Sequence, residues 1–375
     1  GNRAPRFVVA SRARRQPRLL VTAISLLAVL SGACGEVVRV EAGDPVEFVR
    51  QPQTSQVLDA DGGVLADLHA EEDRQDVALT EVAPVLAEAV VAIEDRRFWL
   101  HAGVDVAAVA RAAVRNVEAG GIEQGGSTIT QQYVKNTITG NAETIERKLK
   151  EAGFAWQLEQ RYSKDEILER YLNTVYFGKG AYGIHAAAQR FLGTTPAGLD
   201  LAEAALLAGM IQSPSRHDPF ANPDGALARR RLVLGAMVDT GLITADAAEA
   251  AGDEPLDLAP EEHDAAMRHP YVVDEVARLI QHDPDGTFAE ALGGSVDDRV
   301  AQLFTGGLRV TTTLDPTMQL QAEAAVAGVL SETGDPSAAV VSIDPRTGAV
   351  RALVGGRDHD GDEPWARFNL ATQGR

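Results

Sequence analysis

Cysteine is almost missing from this chain: Cys34 stands alone among 375 residues, which excludes a disulfide framework. With one Cys and eight scattered His, a structural zinc site has no ligand set to draw on. Aromatic residues are scarce at 5%, while apolar residues reach 45% and charged residues 24%. That balance is globular and excludes a collagenous, low-complexity or wholly disordered chain. Positive charge is also short. The net charge of −19 makes the chain a poor general binder of nucleic acid. Lysine is rarest among the basic residues, and all five (Lys135, Lys148, Lys150, Lys164, Lys179) fall between positions 135 and 179. Arg-rich base composition accounts for part of this. A need for compact ammonium charges at Lys135 and Lys148 is the sharper reading.

The charge is uneven. Residues 1–34 carry six Arg and no acid, residues 84–231 are neutral, and the acidic excess lies in 35–83 and 232–375. An anionic ligand is therefore expected on the neutral block. The six Arg precede an uncharged run from Leu19 to Gly35. Seventeen helical residues span about 25 Å, slightly less than a ~30 Å hydrocarbon core. The run reads as a signal anchor with a cytoplasmic N-terminus. A cleaved signal peptide and a lipid-modified Cys34 in Leu-Ser-Gly-Ala-Cys stand beside that reading. All three put residues 36–375 outside the cytoplasm.

At 375 residues two or three domains are expected. Residues 56–68 read as a hairpin around Asp-Gly-Gly. From Pro84 the periodicity turns helical and runs to Glu94-Asp95. Asp105 is a candidate N-cap for a helix to about Ala119, either a core helix or one that touches lipid. Thr144–Gln160 reads as a helix with Ile145, Leu149 and Trp156 toward the core. Ser163-Lys164-Asp165-Glu166 is a capping box. Leu199–Ile211 and Ala226–Asp239 are further helices. Residues 253–307 are weakly periodic and read as a linker. Residues 308–314 form a strand, Asp315-Pro316 opens a helix, and 338–354 form a second hairpin.

Three clusters carry chemistry. Glu94-Asp95-Arg96-Arg97-Phe98-Trp99-Leu100-His101-Ala102-Gly103 ends an apolar helix with a carboxylate that Phe98 partly desolvates, a candidate proton acceptor. Taken alone, such a stretch is more commonly a solvated helix end with an acid–base cluster. Arg147 and Lys148 flank Glu151 at i−4 and i−3, which keeps Glu151 ionised and leaves positive charge for a phosphate. Gly125-Gly126-Ser127-Thr128-Ile129-Thr130-Gln131-Gln132, followed by Lys135, groups amides, hydroxyls and an ammonium, but it lacks the Gly-Lys-Ser/Thr ending of a P-loop. Two carboxylates alone suit a glycosidase; the added cations favour a sugar diphosphate donor.

On these motifs the segment 94–237 resembles the family-51 peptidoglycan glycosyltransferase domain of class A penicillin-binding proteins. Glu94 to Gly103 is similar to the family's first motif, Gly126 to Gln132 to its second, and Arg147, Lys148 and Glu151 to its third. Lys164 to Asn173 is similar to its fourth, and Arg229-Arg230 with Val233, Leu234 and Met237 to its fifth. The resemblance implies a mainly α, lysozyme-like domain that polymerises lipid II with inversion and releases undecaprenyl diphosphate. It implies that Glu94 is the base and that Glu151 positions the donor or stabilises charge. Lys135, Arg147 and Lys148 would hold the diphosphate, and Ser127, Thr128 and Gln132 would line the sugar sites. It requires no cofactor; a divalent cation (Mg or Mn) is compatible, though no residue cluster marks a metal site. The expected partners are lipid II, the growing glycan strand, membrane lipid and cell-wall synthesis or division proteins, with no nucleic acid.

One position departs from the family, which often has an Arg eight residues after the second-motif Lys; here it is Glu143. That exchange motivates a non-catalytic reading, and a lysozyme-like hydrolase is the other alternative. Residues 308–375 resemble the opening of a partial α/β transpeptidase domain. No Ser-x-x-Lys, Ser-x-Asn or Lys-Ser/Thr-Gly occurs, so the chain reads as ending before that nucleophile. The expected layout is a basic tail (1–18), a membrane anchor (19–35), a hairpin pedestal (36–83), the glycosyltransferase domain (84–252), a linker (253–307) and the transpeptidase-like segment (308–375).

Overall fold

The computed structural model describes residues 46–111, 126–140, 144–260, 267–332, 335–361 and 366–373. The expected anchor, Cys34, Glu143 and the second half of the helix expected after Asp105 lie outside these residues. No helix among the described residues is long and apolar enough to cross a membrane.

The larger hydrophobic core is helical. Helix α1 (Pro84–Glu94) opens with Pro at its first turn and buries Leu86, Ala89 and Val90. It packs against α6 (Leu201–Met210) and α7 (Pro223–Asp239). Around this trio lie α2 (Ile129–Val134), α3 (Ile145–Arg161), α4 (Lys164–Thr174) and α5 (Gly183–Leu192), with a small ladder of β3 (Tyr176–Gly178) and β4 (Ala181–Tyr182). Capping follows the sequence: Ser163 accepts from the Glu166 amide while Glu166 returns to the Ser163 amide, and Asp200 and Glu203 do the same for α6.

Helix α3 corrects one expectation. Ile145, Leu149 and Trp156 face outward, at 82%, 42% and 40% exposure, and the buried face holds Glu151, Ala155 and Leu158. The buried face is mixed: the Glu151 carboxylate lies inside with apolar Ala155 and Leu158, while the Lys148 side chain remains 48% exposed.

A second, smaller core joins distant parts of the chain. Strands β1 (Ser55–Leu58) and β2 (Val64–Leu68) form the expected antiparallel hairpin. Strand β5 (Arg309–Thr311) then pairs parallel to β1, with Gln56 opposite Arg309 and Leu58 opposite Thr311. The stretch read as a linker is folded: between α8 (Ala245–Asp253) and β5 lie α9 (Pro270–His282), α10 (Ala289–Leu292) and α11 (Val296–Thr305). Val273, Ile280 and Leu303 from these helices pack on Val57 and Leu65 of the hairpin. The periodicity looked weak because these helices are short and separated by Gly- and Asp-rich turns. Helix α12 (Pro316–Val329) and the hairpin β6 (Val340–Ile343) and β7 (Val350–Val354) complete the segment, with Asp315 capping the Met318 amide as its sequence implies.

Candidate active site

Glu94 closes α1 and is half-buried. Desolvation pushes its carboxyl above the ordinary range. The Gln132 hydrogen bond and the Arg229 charge pull the other way and lose; the Asp95 charge adds a small push upward. Gln132 Nε2 donates to Glu94 Oε2 at 2.8 Å.

The neighbouring Asp95 is buried and builds the frame. It accepts from His101 Nε2 at 2.8 Å and from the Ile129 amide at 3.1 Å, which ties the end of α1 to the start of α2. Glu159 of α3 accepts from Thr130 at 2.6 Å and from Lys164 at 2.7 Å, and the Lys164 ammonium lies 4.3 Å from the Phe98 ring centre. The first, second and fourth motifs thus lock together through buried charge.

Thr128 is placed differently from the expectation of a sugar contact. It is 1% exposed; its hydroxyl donates to the Gly103 carbonyl at 2.6 Å and accepts from the Gln131 amide at 3.1 Å. It caps α2 and is not accessible to a ligand. Gly103 is required for this contact. Its φ is +87°, and a Cβ there would lie 2.6 Å from the Ala155 carbonyl. Gly103→Ala is expected to destabilise the fold by about 2–4 kcal/mol, read by urea denaturation, because strain and a backbone clash act together.

Glu151 is 0% exposed. Arg147 Nη1 binds its Oε1, and Lys148 Nζ lies 2.9 Å from its Oε2. Lys148 also donates to Ser127 Oγ at 3.0 Å, so the second and third motifs meet. The Lys148 ammonium is held below the ordinary lysine range by burial first, then by the charges of Arg147 and Lys135. Those three cations therefore crowd one place.

One short helical segment touches both acids. Gln132 contacts Glu94, and Thr139, at the end of the π-turn Lys135–Thr139, lies 3.5 Å from Glu151 Oε1. Seven residues separate the two contacts, which is on the order of 10 Å along the axis. Gly140, with φ of 70°, ends the turn.

Sequence reasoning left Arg229 and Tyr171 out of the site. Arg229 donates to the Gly209 carbonyl at 3.2 Å and acts on Glu94 by its charge. Tyr171 donates to Gln132 Oε1 at 2.8 Å. Both lie in motifs that were quoted; the signal was a polar side chain on the apolar face of a helix.

Among the described residues no group of three or more His, Cys, Asp or Glu could hold a metal ion. Glu151, the carboxylate nearest the cations, already pairs with two of them. These residues do not fit a resident divalent cation.

Residues 61–238 match the family model described as Transglycosylase. The chain is 39% identical over 326 residues to penicillin-binding protein 2D of Bacillus subtilis, covering 87% of this chain and 45% of that protein. It is 40% identical over 333 residues to penicillin-binding protein 1A of Mycobacterium tuberculosis, covering 86% and 39%. Penicillin-binding protein 1A of Aquifex aeolicus is 44% identical over 210 residues, covering 56% and 29%. The chain is a homologue of penicillin-binding proteins and spans less than half the length of these three relatives.

Proposed function

We propose that this chain is a peptidoglycan glycosyltransferase that polymerises lipid II in cell-wall synthesis. The observation that carries the reading is the pairing of a desolvated carboxylate, Glu94, with the three-cation cluster of Lys135, Arg147 and Lys148, both touched by the segment Ile129–Thr139. Glu94 takes the proton from the acceptor sugar's 4-hydroxyl. That oxygen attacks the anomeric carbon of the growing strand, configuration inverts, and undecaprenyl diphosphate departs with the bonding pair. An upward-shifted carboxyl is a better proton acceptor near neutral pH than an ordinary one. The crowded cations repel one another until the diphosphate neutralises them, so they favour the charge that develops on the leaving group. Glu151 holds Arg147 and Lys148 in place for it. Ser127 lies beside the diphosphate through Lys148, and Gln132 beside the acceptor through Glu94.

The domain is read as lysozyme-like, and residues 308–375 as a transpeptidase-like segment. The expected partners are lipid II, the glycan strand, membrane lipid and other wall-synthesis or division proteins. The chain is read as anchored by residues 19–35 in the cell membrane, with the catalytic domain outside. Incubation with lipid II and separation of the products on a gel tests the reading. Glycan ladders from the native chain support it; soluble muropeptides released from finished wall, with lipid II untouched, would replace it with a hydrolase.

The outward stripe Ile145, Leu149 and Trp156 on α3, with Trp99 and Leu100 exposed on the turn after α1, is read as a lipid contact. The Gly103 backbone, three residues after Leu100, lies close to the backbone of Ala155 and Trp156. In liposomes containing brominated lipid, tryptophan emission of the full chain is expected to be quenched. A Trp99→Phe, Trp156→Phe double variant should lose most of that quenching; undiminished quenching would remove the lipid contact.

A further inference from the structure

Tyr171 is the largest buried polar side chain beside the base that the proposed reaction does not use. It sits on α4 at 0% exposure, and its hydroxyl donates to Gln132 Oε1 at 2.8 Å. The other end of the same amide donates to Glu94 Oε2, also at 2.8 Å. A carboxylate can only accept, so the amide nitrogen must face Glu94 and the amide oxygen must face away. That oxygen then needs a donor, and the phenol supplies one.

We propose that Tyr171 is a positioning residue for the base: it holds the Gln132 amide with its nitrogen turned to Glu94 and thereby sets how readily Glu94 takes a proton. This rests on the reading of Glu94 as the base. The groups acting on Glu94 come from four elements: Gln132 of α2, Arg229 of α7, Asp95 at the end of its own helix, and Tyr171 of α4 through Gln132. Burial, with the Glu94 and Asp95 charges, pushes the Tyr171 phenol well above its ordinary range, so it remains a donor at every working pH. Without the phenol the oxygen of the half-buried Gln132 loses its donor, and the amide turns away to find water. Glu94 then loses the hydrogen bond that favours its charged form. Its protonation midpoint rises, and less of it is free to act at neutral pH.

The test uses the full chain labelled with carboxyl-13C glutamate. The Glu94 resonance is assigned by its loss in Glu94→Gln, and lipid II kinetics are measured over the same pH range. In Tyr171→Phe the Glu94 midpoint is expected to move to higher pH. kcat/KM should fall on the low-pH side of the profile and recover as pH rises, since general-base rates follow the fraction of free base. Gln132→Leu removes the donor itself and should move the midpoint at least as far, which covers the case of a poorly folding Tyr171 variant. An unmoved midpoint in both variants, with activity lost equally at every pH, would make Tyr171 a structural residue and overturn the proposal. A midpoint that moves in a chain whose native form does not polymerise lipid II would sustain the relay and reject the glycosyltransferase reading instead.

Discussion

Glu94→Gln is expected to abolish polymerisation and, at neutral pH, to make the protein harder to melt. Loss of a general base lowers turnover by about 10²–10⁴-fold. The gain in stability follows from the direction of the carboxyl's shift. Folding raises the Glu94 pKa above its ordinary 4.5, because desolvation outweighs the help from Gln132 and Arg229. The folded state therefore binds the proton more tightly than the unfolded state does. As pH rises from 4.5 through the folded pKa, stability is lost, and above that window the charged carboxylate is a standing cost. Glutamine keeps the shape and a polar contact to Gln132 but carries no charge to desolvate. Thermal melts should show Glu94→Gln above the native protein at pH 7–8, with the difference closing below pH 4.5. A lower melting point for the variant at neutral pH would mean that the Arg229 attraction dominates and that Glu94 is a structural ion-pair partner.

The second large effect is expected at Glu151. This carboxylate has no exposed surface and holds two cations that repel each other. Removing one member of a buried pair costs about 3–5 kcal/mol, and Lys148, half exposed, brings the expected loss in Glu151→Ala to the lower end. Activity should suffer as well as stability. Freed from Glu151, Arg147 and Lys148 move apart, and a misplacement of about 1 Å at a reacting centre costs about 10²-fold. The variant should show a kcat/KM for lipid II reduced about 100-fold at temperatures where it remains folded. Turnover equal to the native chain would mean that the cations need no template. Urea denaturation and single-turnover kinetics on the same preparation separate the two effects.

Much of the site was readable in the sequence because its residues come in short, local patterns. Arg147, Lys148 and Glu151 fall on one turn of helix, and the spacing alone places both cations on the acid, as the structure has them. The caps at Ser163 and Asp315 were equally local. What could not be read was which face of α3 goes inward. The apolar stripe at Ile145, Leu149 and Trp156 obeys the helical period, and only tertiary context shows that the face with Glu151, Ala155 and Leu158 is the buried one. Thr128 misled for a similar reason: a hydroxyl in a Gly-rich loop suits a sugar, yet a Thr three residues before a Gln also caps a helix, and the cap took it. The parallel pairing of β1 with β5 joins segments that no local pattern relates. Tyr171 was hidden because an aromatic on the inner face of α4 looks like ordinary core until its hydroxyl is followed to Gln132.

The central claim is that Glu94 and the Lys135, Arg147 and Lys148 cluster act on one glycosidic bond, and the most direct measurement counts products on both sides of it. With radiolabelled lipid II, the account predicts one undecaprenyl diphosphate released for each sugar linkage formed, and neither product from Glu94→Gln. Linkages broken in preformed glycan, with no diphosphate lipid released, or equal release by the native chain and the variant, would contradict it.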